Sequence, residues 1–208
     1  IALPFLLVWI ASPFVVYVLS KPSSSSQSSI DEDQKTYLRH LARKTWAFFE
    51  DTITQADNWL PPDNLQIYPI PVIAHRTSPT NIGLSLLANL SAYDFGYATA
   101  SQLIERTSNT FAAMEKLERH QGHFYNWYDT QNLSVLNPRY ISTVDSGNLA
   151  GHLLTLRQGL LTLPHLQIVG QKFSKGLEDT LSVTISEVPE AESELRAHLG
   201  ILLKEINQ

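Results

Sequence analysis

The sequence contains no cysteine. That absence excludes disulfide scaffolds, thiolate-ligated zinc, iron–sulfur clusters and thiol nucleophiles together. Charge is also sparse: Asp, Glu, Lys and Arg make up 17% of the 208 residues, and 15 basic against 20 acidic side chains leave a net charge of −5. No global positive field draws in nucleic acid, so no nucleic-acid partner is expected. The 9 glycines never cluster. Neither GxGxxG nor the GxxxxGK phosphate loop occurs, and GxSxG, the nucleophile elbow, is missing too. No cofactor is expected. With 43% hydrophobic residues the chain is nonetheless far from the composition of a disordered polymer.

Another absence is local. Residues 1–20, IALPFLLVWIASPFVVYVLS, hold no charged side chain. At ~1.5 Å rise per residue a helix of that length reaches the ~30 Å of a bilayer's hydrocarbon core, so a transmembrane helix is expected over 1–20. A buried core helix is the competing reading. Pro4 and Pro13 would kink the span, and Tyr17 stands at interfacial level. A signal peptide fits poorly, because an initiator Met, a basic n-region and a small-residue cleavage pattern are all missing. The start at Ile1 reads instead as a cut through a longer protein. Lys21, Lys35, Arg39, Arg43 and Lys44 follow the run. Their bias implies an inner (cytoplasmic) membrane location with the soluble part on the cytoplasmic side. Residues 21–30, with PSSSSQSS at their centre, read as a Ser-rich linker.

From Asp31 onward the pattern is helix after helix. Asp31 can cap a helix whose face carries Leu38, Leu41, Thr45, Phe49 and Ile53. Ser78-Pro79 pairs a cap with proline at the first helical position, opening a helix over 81–93 with Ile82, Leu86, Leu87 and Leu90 inward. A third runs from about Thr99 to Arg119. Asp145 or Ser146 starts a fourth, carrying Leu149, Leu153, Leu156 and Leu160 until Pro164 stops it. Two more are expected near 170–186 and 190–206. No segment alternates as a strand does, so the fold class is all-α, built from antiparallel helix pairs.

Two connections are too long for a plain bundle: residues 57–77 and 120–145. Loops of ~20 residues inside a compact domain are functional or disordered, and their Trp, Tyr and Phe content argues against disorder. The first holds Trp59, Asp63, Asn64, Tyr68, His75 and Arg76 and leads into Asn81. The second holds Tyr125, Trp127, Tyr128 and Tyr140 beside Asn126, Asp129, Arg139 and Asp145. Flat aromatic faces among Asp, Asn and Arg suit a sugar, whose C–H faces stack and whose hydroxyls need donors and acceptors. Each carboxylate also has a structural alternative: Asp63 can close a turn, Asp145 can cap a helix, and Asp129 can pair with Arg139. Arg76 can likewise pair with Asp145. His120 and His123 flank Gly122 with no second ligand pair nearby, so no metal is expected.

Four motifs stand in one order: WLPPDN (Trp59 to Asn64), HRTSPTNIGL (His75 to Leu84), GHFYNWYDT (Gly122 to Thr130) and RYISTVDSGNLAGHL (Arg139 to Leu153). In that order they resemble the glucoamylase-like region of cyclic β-1,2-glucan synthases. The similarity runs from about Leu41 to Leu163 and continues more weakly through residues 176–180. The resemblance implies a domain that closes a linear β-1,2-glucan by transglycosylation. In the parent enzymes it stands between a membrane-embedded glycosyltransferase using UDP-glucose and a phosphorylase-like module that trims chain length. It further implies an (α/α)6 toroid, twelve helices paired around a sugar-binding cavity.

Six readable helices are half of such a toroid. The expected organisation is therefore a transmembrane helix at 1–20, a linker at 21–30 and a partial glucoamylase-like domain at 31–208. The family's acid and nucleophile glutamates are expected beyond Gln208, because this chain's glutamates sit on solvated helix faces. The substrate-binding set is expected to comprise Asp63, Arg76, Asn81, Tyr125, Trp127, Asp129, Asp145 and Asn148. Among them Arg76, Asn81, Trp127, Asp129 and Asp145 are expected to converge on one surface. The expected partners are β-1,2-glucan, a membrane and the parent's two other modules. The competing functions are a membrane-tethered glucan-binding module without catalysis and a helical adaptor that docks protein.

Overall fold

The computed structural model describes residues 3–21, 30–165 and 170–206. It divides into two units, Ile1–Lys35 and Thr36–Gln208. The Ser-rich stretch 22–29, the centre of the expected linker, lies outside the described residues.

In the first unit, helix α1 spans Leu3–Leu19, 17 residues interrupted by Pro13. This corrects the transmembrane reading: among the described residues no helix is long and apolar enough to cross a membrane. At ~1.5 Å per residue, α1 rises about 25 Å, short of the ~30 Å of hydrocarbon. The expected inner-membrane location rested on that span and loses its structural basis with it. Helix α2, Glu32–Thr52, begins in this unit with a reciprocal cap. The Gln34 backbone N–H donates to Asp31 Oδ1 at 2.8 Å, and the Asp31 N–H donates back to Gln34 Oε1 at 3.2 Å.

The second unit is built around α3, Pro79–Phe95, which packs against α4 (Ala100–Lys116), α5 (Thr143–Thr162) and α6 (Gln171–Glu187). Helix α7, Ser193–Ile206, packs on α6. Ser78 caps α3 by accepting from the Asn81 N–H, and Pro79 supplies the first helical residue. Thr99 and Gln102 form a full capping box for α4. Helix α5 starts earlier than the sequence suggests. Its cap is Ser142, which accepts from the Asp145 N–H at 3.1 Å, so Asp145 falls inside the first turn. Leu60, Ile82, Leu86, Met114, Leu117, Tyr128, Leu149 and Leu156 fill the core between α3, α4 and α5.

The extensive α3–α5 contact is parallel, not antiparallel. Asn148 meets Thr80, His152 meets Gly83 and Gly159 meets Leu90, so the pairs advance together along both helices. Small residues permit the approach: a Cβ on Gly83 would stand 2.3 Å from the His152 ring nitrogen, and one on Gly159 2.3 Å from Leu90 Cδ2. At the other end of α3 the contact is backbone on backbone. Gly96 closes the helix at φ +82°, where L side chains are strained, and a Cβ on Gly176 of α6 would fall 2.2 Å from the Gly96 carbonyl oxygen.

The long loops are not wholly irregular. They carry three two-stranded antiparallel ladders: β1 (Leu65–Gln66) with β2 (Val72–Ile73), β3 (Arg76–Thr77) with β6 (Tyr128–Asp129), and β4 (Arg119–His120) with β5 (His123–Phe124). Strands of two residues leave no readable alternation in a sequence. The β3–β6 ladder matters most, because it ties the first loop to the second with Arg76 opposite Asp129 and Thr77 opposite Tyr128.

Candidate functional site

Because α3 and α5 run parallel, both helix starts face the same end of the unit. Each leaves backbone N–H groups without intrahelical partners there. The two long loops end at these starts, and the β3–β6 ladder joins them above. The site is assembled from residues 63–81 and 126–148.

Asp63 is the hub of the first loop. Its Oδ2 accepts from Arg76 Nη2 at 2.8 Å and Nε at 3.1 Å and from Asn64 at 3.0 Å, while its Oδ1 accepts from the Asn81 amide at 3.3 Å. The Arg76 guanidinium then lies over the Trp127 ring, 5.2 Å from its centroid. Trp127 leads into the second network through Asn126, which is 6% exposed. The Asn126 amide nitrogen donates to Asp145 Oδ2 at 2.9 Å, and its oxygen accepts from Trp127 Nε1 and the Tyr140 hydroxyl, each at 2.7 Å. The opposite amide orientation would set oxygen against the carboxylate.

Asp145 binds the two helices together. Burial pushes its carboxyl up, but hydrogen bonds from Ser142, from Thr80 and from Ser78 outweigh burial and hold it below the usual carboxylate range. Asn148 adds a bond from α5 to the Thr80 hydroxyl at 3.1 Å. Above this network opens a hollow of about 350 Å³ lined by Arg76, Trp127, Leu136, Asn137, Pro138 and Tyr140.

The structure thus links Asp63, Arg76, Asn81, Trp127, Asp145 and Asn148 in one region. Asp129 shares the ladder with Arg76, yet its Oδ1 is spent on the backbone N–H groups of Gln131 and Asn132, both at 2.9 Å. That turn takes the place of the alternative Asp129–Arg139 pair. Arg139 pairs with Glu118 instead, and its guanidinium stacks 4.8 Å from the Tyr125 ring. Tyr125 therefore packs toward the core cluster and away from the hollow. Arg76 pairs with Asp63, not with Asp145.

Sequence reasoning missed two features. Asn126 and Tyr140, present in the second loop's aromatic and polar set but left out of the expected binding residues, act as hub and wall. On the opposite face of the β3–β6 ladder, buried Asp57 accepts from Thr130 Oγ1 at 2.5 Å and binds His75 Nδ1 at 2.7 Å, stapling both loops together. A larger hollow of about 510 Å³ runs between α2 and α3, lined by Leu38, Leu41, Trp46, Phe49, Leu84 and Leu87 among others. It holds no ionisable group except Tyr97, so its size marks an apolar groove and not a chemical centre.

Comparison with known proteins shows similarity in both sequence and fold. Over 157 residues, 75% of this chain, the sequence is 45% identical to the cyclic β-(1,2)-glucan synthase NdvB of Rhizobium meliloti (strain 1021), of whose length the match spans 6%. The fold matches the crystal structure of a glucoamylase-like protein from Bacteroides fragilis NCTC 9343, with a TM-score of 0.50 and 17% identity, over 77% of this chain and 37% of that one. No family model matches the sequence. The sequence match carries the resemblance to cyclic β-1,2-glucan synthases, and the structural match carries the glucoamylase-like fold.

Proposed function

We propose that this chain supplies one wall of a β-1,2-glucan-holding cleft, within the glucoamylase-like, chain-closing region of a cyclic β-1,2-glucan synthase. The observation that carries the reading is the hollow itself, where Trp127 and Tyr140 stand beside Arg76. An uncharged ring with apolar C–H faces and outward hydroxyls suits such a lining, since the aromatics offer flat faces and the guanidinium offers donors. On this reading residues 31–208 are part of a larger glucoamylase-like domain.

The work done here is holding, not cleaving. Glycosidic cleavage needs a protonated carboxyl and a second carboxylate across the bond. Asp145 is held below the usual range, the wrong direction for a general acid. Asp63 has both oxygens occupied by Arg76, Asn64 and Asn81. The acid and nucleophile of transglycosylation then come from elsewhere in the parent enzyme, beside its glycosyltransferase and phosphorylase-like modules, and this chain alone binds glucan without closing it.

Titration with linear β-1,2-gluco-oligosaccharides, read by tryptophan fluorescence, tests the proposal. The chain is expected to bind them in preference to β-1,3 or α-1,4 oligomers of equal length, and Trp127→Ala is expected to weaken binding at least tenfold by removing the stacking face. Equal response to all linkages, or an unaffected W127A, contradicts it.

A further inference from the structure

We infer that Asn126 is the positioning residue of the cleft, fixing both aromatic walls to the paired starts of α3 and α5. Its side-chain amide uses one donor and two acceptor directions at once: nitrogen to Asp145 Oδ2 at 2.9 Å, oxygen from Trp127 Nε1 at 2.7 Å and from the Tyr140 hydroxyl at 2.7 Å. Its backbone N–H donates to the Tyr140 carbonyl at 2.9 Å, so Tyr140 is gripped at both ends. Asp145 in turn is held by groups on both helices, Ser142 on one side and Ser78 and Thr80 on the other. The chain of bonds therefore runs from the extensive α3–α5 contact to the two rings of the hollow.

Orientation is what such a link provides. A stacking platform works only through its face, and an indole free to turn about its side-chain torsions presents its edge as readily. Arg76 limits Trp127 from above but bonds to neither ring nitrogen nor hydroxyl. Among the side chains of this size only an amide fits all three partners. A carboxylate would face Asp145 with like charge, and an apolar side chain would leave a half-buried carboxylate oxygen and a half-buried indole N–H without this partner. Asn126 does not line the hollow, so it acts through Trp127 and Tyr140 and not on the ligand.

The test rests on the glucan-holding reading only for its ligand. In the 208-residue chain, Asn126→Asp keeps shape but turns the one donor into a repelling carboxylate. It is expected to weaken β-1,2-gluco-oligosaccharide binding on the order of tenfold. It is also expected to displace the Trp127 indole N–H resonance, identified among the four tryptophans by its loss in Trp127→Phe. The exchange N126D/D145N restores a donor facing an acceptor and is expected to recover binding to within about threefold. Asn126→Ser gives the same readings should N126D not fold. Native affinity with an unmoved indole resonance in a folded N126D or N126S overturns the inference. If the unsubstituted chain binds no sugar, the glucan reading falls, and the indole resonance alone judges Asn126.

Discussion

The two ends of α3 are each organised around a carboxylate, yet they do different work. At the C-terminal end Asp179 forms an ion pair with Arg39 at 2.7 Å, with side-chain exposures of 9% and 24%. The Tyr97 hydroxyl lies 3.0 Å from Asp179 Oδ2 and from the Arg39 carbonyl, and Arg39 donates to the Phe95 carbonyl at 3.2 Å. Burial, with Asp179 beside it, pushes the Tyr97 hydroxyl well above its ordinary range. At the N-terminal end Asp63 and Asp145 anchor networks that end in Arg76, Trp127 and Tyr140 around open space. A cluster of polar residues is therefore no sign of a binding site by itself. What separates the two ends is the lining of the hollow beside each: Arg76 with Trp127 and Tyr140 at one, apolar side chains with Tyr97 and no charged group at the other.

The sharpest way to break that contrast is at the closed end. Asp179→Ala leaves the half-buried Arg39 guanidinium without its ion-pair partner, and the expected cost is about 2–3 kcal/mol in urea unfolding. Sugar binding by the molecules that remain folded should be unchanged. Gly176→Ala comes next: its Cβ meets the Gly96 carbonyl, which is backbone and cannot swing away, for an expected loss of about 2 kcal/mol. Gly151→Ala in α5, with nothing within 4 Å, should instead gain a few tenths to ~1 kcal/mol of helix propensity.

The smallest effect belongs to the open end. Asp145 titrates lower in the folded chain than its ordinary value of 3.8, so its contribution is complete above that value and disappears as pH falls through the folded one. Asp145→Asn should therefore lose a modest contribution at neutral pH, where it is complete, and converge on the unsubstituted chain in acid, flattening the limb below about pH 4, as thermal melts across pH 2–7 would show.

Much of this architecture is legible in the chain. Asp31 with Gln34, Ser78 with Pro79, and Thr99 with Gln102 announce their helix starts through local hydrogen bonds, and local bonds are what a sequence displays. The start of α5 is harder, because Ser142, Thr143, Asp145 and Ser146 are all competent caps. Asp145 is diverted from capping by Ser78 and Thr80 on a different helix, a choice made by packing. Loop chemistry singled out Arg76, Asn81 and Trp127, which lie in one region of the fold, but the Asp63–Arg76 pair that links them depends on a β1–β2 hairpin folding back between residues 63 and 76. The apolar run at 1–20 misled in the other direction: composition sets what a segment can bury, not how long a helix it forms.

The parallel arrangement of α3 and α5 has an electrostatic consequence. Each helix start carries roughly half a positive elementary charge, so the pair contributes about one, and Arg76 adds another. Asp63 and Asp145 supply two negative charges at the same place. The hollow is thus close to electroneutral despite being built from ionic parts. Such a surface has no field with which to steer an ion and no counterions to release. A neutral polyol meets it without paying for the displacement of either.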